Sequence, residues 1–208
     1  MGVDLGQSRD FSAIAVVEKV EKVGARDPAT MVFARETELQ LRYLERVPLG
    51  TPYPKVVERV ASVAQSQPLA GQCLMVVDGT GVGRPVVDLL READTGCRIR
   101  AVIVTGGGVE RREGGYDRVP KRDLIMALRL SLEQGKLRIA AGLRHGEDLL
   151  AEMAAIQVRV SASGNEQFGA WREGTHDDLV FAVALAVWGT RLRTVGGQEW
   201  HGGSLWFG

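Results

Sequence analysis

Cysteine is scarce in this chain, with only Cys73 and Cys97 among 208 residues. Two cysteines make no disulfide framework, so a reducing compartment is expected. Long apolar runs are also missing. The most apolar stretch, Leu179 to Trp188, is too short to cross a bilayer. No signal peptide is expected, because Asp4 falls where an apolar run would be needed. Net charge is absent as well: 26 Lys plus Arg stand against 26 Asp plus Glu. That balance excludes a protein that holds nucleic acid by bulk charge alone, but it leaves room for a locally basic groove. Lysine is rare, supplying only 5 of the 26 basic residues. The arginine bias suits phosphate binding, although a GC-rich genome is the better account of its main cause. What remains is ordinary for a soluble globular protein: 45% hydrophobic and 25% charged residues, enough for one sizeable core and too few for two domains.

Periodicity divides the chain into strands first and helices later. Gly2 to Leu5, Ser12 to Lys19 and Met31 to Leu39 read as strands, the last by its period of two. A helix opens near Pro54, with Val56, Val57, Val60 and Val63 at helical spacing, and ends at Pro68 and Gly71. Cys73 to Val77 reads as a strand buried on both faces, which delivers Asp78 at its end. Helix Pro85 to Ala93 and strand Ile99 to Val104 follow, and Arg111 to Lys121 reads as a mobile loop. Then come helix Asp123 to Gln134, strand Lys136 to Ala140, helix Glu147 to Ile156 and a hairpin of Val158 to Val160 with Gln167 to Ala170. The last helix, from Asp177 to about Arg193, is apolar all round and is expected to be buried. Three early strands on short connections predict an antiparallel meander, and the later ones, separated by helices, predict parallel additions. The fold expected is a mixed five-stranded α/β sheet with helices on both faces.

Acidic residues recur at strand ends and at one helix start. Asp4 lies in the first strand, Asp78 ends the fourth, and Asp177 and Asp178 open the last helix. If the first and fourth strands are neighbours, Asp4 and Asp78 meet, and a helix docked there brings a third carboxylate. Each has a plainer reading alone: a strand end, a turn, a capping box from Thr175 to Asp178. Together they describe a site that needs a hard divalent cation, because packed carboxylates repel. Two Mg²⁺ or Mn²⁺ ions there would support phosphodiester cleavage. The Gly79 to Gly83 run lacks the Lys-Ser/Thr of a P-loop, and Arg84 breaks the GxGxxG spacing.

These segments resemble the nuclease domain of phage terminase large subunits, within the RNase H-like superfamily. GVDLGQSRDFSAIAVV is similar to that family's first two strands, with Asp4 at the first metal ligand and Asp10 at a further acidic position near the metals. VVDGTGVGRPVVDLL resembles the strand and helix of the second ligand, here Asp78. VPKRDLIMALRLSLEQGKLRI resembles the family's basic-led helix and short strand. GTHDDLVFAVALAVW is similar to the closing segment, which implies that one or both of Asp177 and Asp178 are ligands. The resemblance covers roughly Gly2 to Arg193 and implies an RNase H-like nuclease domain over residues 1–193, with 194–208 as a flexible tail carrying Trp200, Trp206 and Phe207. It further implies metal-dependent cleavage of double-stranded DNA in the host cytoplasm during genome packaging. The implied partners are a packaging ATPase domain, a small terminase subunit and the portal. No GxxxxGK(S/T) is present, and Met1 directly precedes the first strand, so an excised domain or a truncated prophage gene is expected.

The segment from Arg111 to Arg122 carries five basic residues (Arg111, Arg112, Arg118, Lys121 and Arg122) and is the expected DNA contact. Lys121 and Arg122 begin a helix, where phosphate is favoured. Two other readings compete. GVDLGQSRDFSAI and DGTG also resemble the phosphate loops of actin-like and sugar-kinase folds, although the chain is too short for their two lobes. A junction resolvase would share the acidic residues but is expected to be more basic and dimeric.

Overall fold

The computed structural model describes residues 1–6, 10–81, 83–160, 166–169 and 176–192. Three antiparallel strands come first: β1 (Gly2–Asp4), β2 (Ala13–Arg26) and β3 (Phe33–Arg46). Helix α1 (Tyr53–Ala64), strand β4 (Leu74–Asp78), helix α2 (Gly83–Glu92) and strand β5 (Arg98–Thr105) follow. Next are β6 (Arg111–Glu113), β7 (Tyr116–Pro120), α3 (Lys121–Glu133), β8 (Leu137–Ile139) and α4 (Gly146–Ala155). Strands β9 (Gln157–Val160) and β10 (Glu166–Gly169) pair as a separate ribbon, and α5 (Asp178–Gly189) is the last described helix.

The sheet is mixed, as its sequence predicts, but it has eight strands rather than five, in the order β6-β7-β5-β4-β1-β2-β3-β8. The meander β1-β2-β3 is antiparallel; β4, β5, β7 and β8 join in parallel. One reread loop adds β6 and β7, and the expected short strand after α3 joins the sheet as β8. The expected loop from Arg111 to Lys121 is instead the hairpin β6–β7, paired Arg111 to Arg118 and Glu113 to Tyr116. Its turn is Gly114-Gly115, both with positive φ, a conformation that glycine adopts without a Cβ clash. Cys73 and Cys97 are joined in a disulfide, with Cα atoms 5.0 Å apart at the starts of neighbouring strands. Two thiols make no framework, yet the parallel register of β4 and β5 brings this pair together. Residues 193–208, including the expected tail, lie outside the described residues, as does Thr175. Among the described residues no helix is long and apolar enough to cross a membrane.

Helices cover both faces. Val56, Val60, Val63, Val86, Val87 and Leu90 of α1 and α2 pack on one face, against Val3, Ile14 and Val77. Leu124, Leu128, Leu149 and the whole of α5 cover the other, against Ala13, Ala15, Leu44 and Val76. Every residue of α5 is buried, in agreement with its all-round apolar sequence. The helix lies directly on the strands because glycine faces it: a Cβ on Gly2 would stand 2.0 Å from the carbonyl oxygen of Ala182, and one on Gly189 2.7 Å from Val76. This close approach fixes the N-terminus of α5 over the C-terminal ends of β1 and β4.

Candidate active site

Register sets the first two carboxylates side by side. Val3 pairs with Val77 in parallel, so Asp4 and Asp78, each one residue on, adjoin across β1 and β4. Antiparallel pairing continues the row, since Asp4 faces Ala13 and Ala13 faces Arg46. Asp78, Asp4, Ala13 and Arg46 therefore form one line across four strands, at about 4.8 Å per strand. All four belong to the face that α5 covers, because their neighbours at two-residue spacing (Val76, Ala15 and Leu44) pack there. Asp177 is the N-cap of α5 and Asp178 its first residue.

The electrostatics of Asp4 reflects the same neighbours. Asp4 retains some exposure, yet burial is the main reason its acidity is weakened well beyond the ordinary carboxylate range. The negative charges of Asp78, Asp177 and Asp178 push it further, and Lys121 partly opposes them. Asp78 is raised as well, chiefly by burial; the Thr80 hydroxyl and amide, both donating to Asp78 Oδ1, and the Lys121 charge pull against that. Among the described residues no hydrogen bond reaches the Asp4 carboxylate.

The other acids are turned to protein cations. Lys121, the first residue of α3, extends its Nζ to 3.3 Å from Asp177 Oδ2 and 4.1 Å from the Phe181 ring centre. Arg46 Nε donates to Asp178 Oδ2 at 2.8 Å, and Arg46 Nη2 pairs with Glu152. Consequently, among the described residues, no three His, Cys, Asp or Glu side chains stand close enough to ligate one ion as oriented. Backbone placement brings the four aspartates together, while Arg46, Lys121 and Thr80 engage oxygens of Asp178, Asp177 and Asp78.

The Asp10 backbone lies against Gly6, two residues after Asp4. The residue is exposed beside a cavity of about 230 Å³ shared with Gly6, Thr51 and Tyr53. Arg111, Arg112 and Arg118 project from the edge hairpin, where Arg111 and Arg118 approach Glu113 and Arg112 approaches Asp117 at 3.5 to 3.8 Å. The pairs to the exposed Glu113 hold their arginines weakly. Arg122 stands 3.5 Å from Asp123. Of the five expected phosphate contacts, Lys121 reaches into the acidic group.

Sequence reasoning passed over Arg46 and Glu152. Glu152 Oε2 accepts the backbone N–H groups of Leu179 (3.0 Å) and Val180 (3.1 Å), two donors that a helix start leaves without intrahelical partners. Burial and the Asp178 charge raise its pKa to about 7, against the pull of those N–H groups and Arg46. A signal existed. Glu152 occupies a stripe position of α4 with Leu149, Met153 and Ile156, where an apolar residue is the norm.

No family model matches the chain, and no curated protein matches it by sequence. Solved structures do match in fold. The large terminase nuclease from thermophilic phage G20c with bound magnesium superposes with a TM-score of 0.58 at 24% identity, covering 89% of this chain and 78% of that one. A mutant gp2c of the large terminase subunit from bacteriophage Sf6, with calcium, gives 0.57 at 16% identity, covering 90% and 88%. The manganese-soaked human cytomegalovirus terminase nuclease domain gives 0.52 at 14% identity, covering 90% and 80%. The chain therefore has the RNase H-like fold of these nuclease domains.

Proposed function

We propose that this chain is a metal-dependent endonuclease of the terminase large-subunit kind, which cleaves double-stranded DNA during viral genome packaging. The observation that carries the reading is the convergence of Asp78, Asp177 and Asp178 on a half-buried Asp4. Four negative charges in one low-dielectric place are stable only with a counter-charge or a proton. Lys121 and Arg46 supply two positive charges there, too few for four carboxylates, and Arg46 is shared with Glu152.

The donor set fits hard divalent ions, because every candidate ligand atom is a carboxylate oxygen. Asp4, Asp78 and one or both of Asp177 and Asp178 would hold the metal, after the Asp177–Lys121 contact opens. Two bound ions, Mg²⁺ or Mn²⁺, would activate a water and stabilise the leaving oxygen of a phosphodiester. The chain's own residues do the rest. Strands β1 and β4 fix Asp4 and Asp78 against each other, and Thr80 orients Asp78 by donating its hydroxyl and amide to the carboxylate. Arg111, Arg112 and Arg118, on the hairpin beyond β5, would hold phosphates next to the acids, a contact that positions DNA without reading its sequence. Arg122, at the start of α3, would extend that contact. Metal-bearing structures of similar fold support the use of a divalent ion. A packaging ATPase domain, a small terminase subunit and the portal are the partners that this reading proposes, and the host cytoplasm its place of action.

Crystals soaked in Mn²⁺ test the reading. Anomalous peaks should stand between Asp4, Asp78 and Asp177 or Asp178, and they should vanish in Asp78→Asn. Ordered Mn²⁺ only at other carboxylates would overturn the assignment.

A further inference from the structure

We infer that Arg46 and Glu152 act as a positioning clamp, which holds Asp178 and the first turn of α5 in place beside Asp4. The catalytic part of this inference rests on the nuclease reading; the clamp itself does not.

The geometry is a closed chain of contacts among three elements. Arg46 ends β3 and lies two strands from Asp4 in the same transverse row, with only the Ala13 methyl between. Its guanidinium donates through Nε to Asp178 and through Nη2 to Glu152. Glu152, on α4, accepts the N–H groups of Leu179 and Val180, the residues that follow Asp178. One arginine fork thus joins the carboxylate of Asp178 to the group that caps its helix. The three side chains are almost withdrawn from water, at 17%, 7% and 5% exposure. Phe11 closes the remaining side, its ring centre 4.9 Å from the guanidinium carbon, and His176 meets Phe11 edge-on at 5.1 Å.

A structural salt bridge alone does not require this layout. Asp177 has no side-chain capping bond, so the first turn of α5 takes its acceptor from α4 instead. The arginine contacts Asp178 through one nitrogen, leaving Asp178 Oδ1 without an arginine bond; His176 Nδ1 stands 3.9 Å from it. A planar fork can serve two carboxylates in fixed directions, which a lysine point charge cannot. The clamp therefore sets the direction of Asp178 while leaving part of it available.

The full chain tests this with Arg46→Met, which keeps the aliphatic stem, and Arg46→Lys, which keeps the charge. Mn²⁺ affinity followed by electron paramagnetic resonance should fall at least tenfold in Arg46→Met. Plasmid cleavage should lose at least tenfold in kcat, with KM for DNA within twofold of wild type. Arg46→Lys should recover part of both. A folded Arg46→Met with wild-type Mn²⁺ affinity and kcat overturns the proposal. If Arg46→Met does not fold, Glu152→Gln decides: Mn²⁺ binding at least threefold weaker is expected, and unchanged binding overturns it. Should wild type bind no Mn²⁺, the nuclease reading falls, and the clamp is judged by amide exchange in metal-free protein. Glu152→Ala should then speed exchange at Leu179 and Val180 at least tenfold relative to α3, whereas equal protection overturns the clamp.

Discussion

A carboxylate ringed by three others survives in a folded protein only if it takes a proton or a cation neutralises it. Asp4 is in that position, and the sign of its effect on stability follows. Its acidity is weaker folded than unfolded, so the folded state binds the proton more tightly. Stability from this group is present at low pH and is lost as pH rises through the folded value. Asp4→Asn should therefore stabilise the metal-free protein more at pH 8 than at pH 5, by about 1–3 kcal/mol at the higher pH. Thermal melts at the two pH values check this; an equal gain at both would mean that Asp4 is not under charge strain. Asp78→Asn should keep the fold and lower cleavage at least a hundredfold, on the scale of losing a group that acts in the transition state. The four aspartates were legible because strand ends and a helix start are recognisable in sequence. Arg46 and Glu152 were not. Each looks like a surface residue until the sheet row and the α4 stripe turn it inward.

Elements carry the next set of consequences. Helix α5 can approach β1 only because residue 2 has no side chain, and Gly2→Ala would put a carbon 2.0 Å from backbone oxygen. The helix must shift, at a cost of about 1–3 kcal/mol, and it carries Asp177 and Asp178 away from Asp4. Both a lower melting temperature and weaker Mn²⁺ binding are expected; full retention of both would show that the close approach is not needed. The hairpin β6–β7 gives a separate prediction. Replacing Arg111, Arg112 and Arg118 with alanine should weaken cutting uniformly across DNA sequences and flatten its salt dependence. Cutting that is unchanged in rate and salt response would remove the hairpin from the DNA path. Helix boundaries were largely legible from apolar spacing, strand lengths less so. The bulge between Val16 and Val17, which face Tyr43 and Leu41, inserts Arg42 as the extra residue, so Leu41 and Leu44 face one side while three residues apart. That break in period two hid the second half of β3. In α2, Leu89 is 38% exposed while Val87 is buried, a rotation of the apolar stripe that spacing alone leaves open.

At the scale of the molecule, a chain with no net charge assembles a strongly negative spot and a basic edge on one sheet. The order of strands does this. Placing β1 in the centre, between β2 and β4, brings residues 4, 78 and 178 together from across the sequence. That central position was the one topological assumption behind the expected site, and it holds. The sheet's breadth was legible only in part: β8 was expected as a short strand, whereas β6 and β7, three and five residues long, fell in a segment that reads as a loop. The disulfide was equally hidden, because 24 residues separate its cysteines and only the β4–β5 pairing joins them. The most direct test of the whole account is a supercoiled-plasmid assay with Mn²⁺, Mg²⁺ or EDTA, comparing wild type with Asp4→Ala. Nicking and linearisation should require the metal and disappear in Asp4→Ala. Cleavage that persists in EDTA or in Asp4→Ala would contradict the account, as would an inert wild type whose melting temperature rises with ATP but not with Mn²⁺.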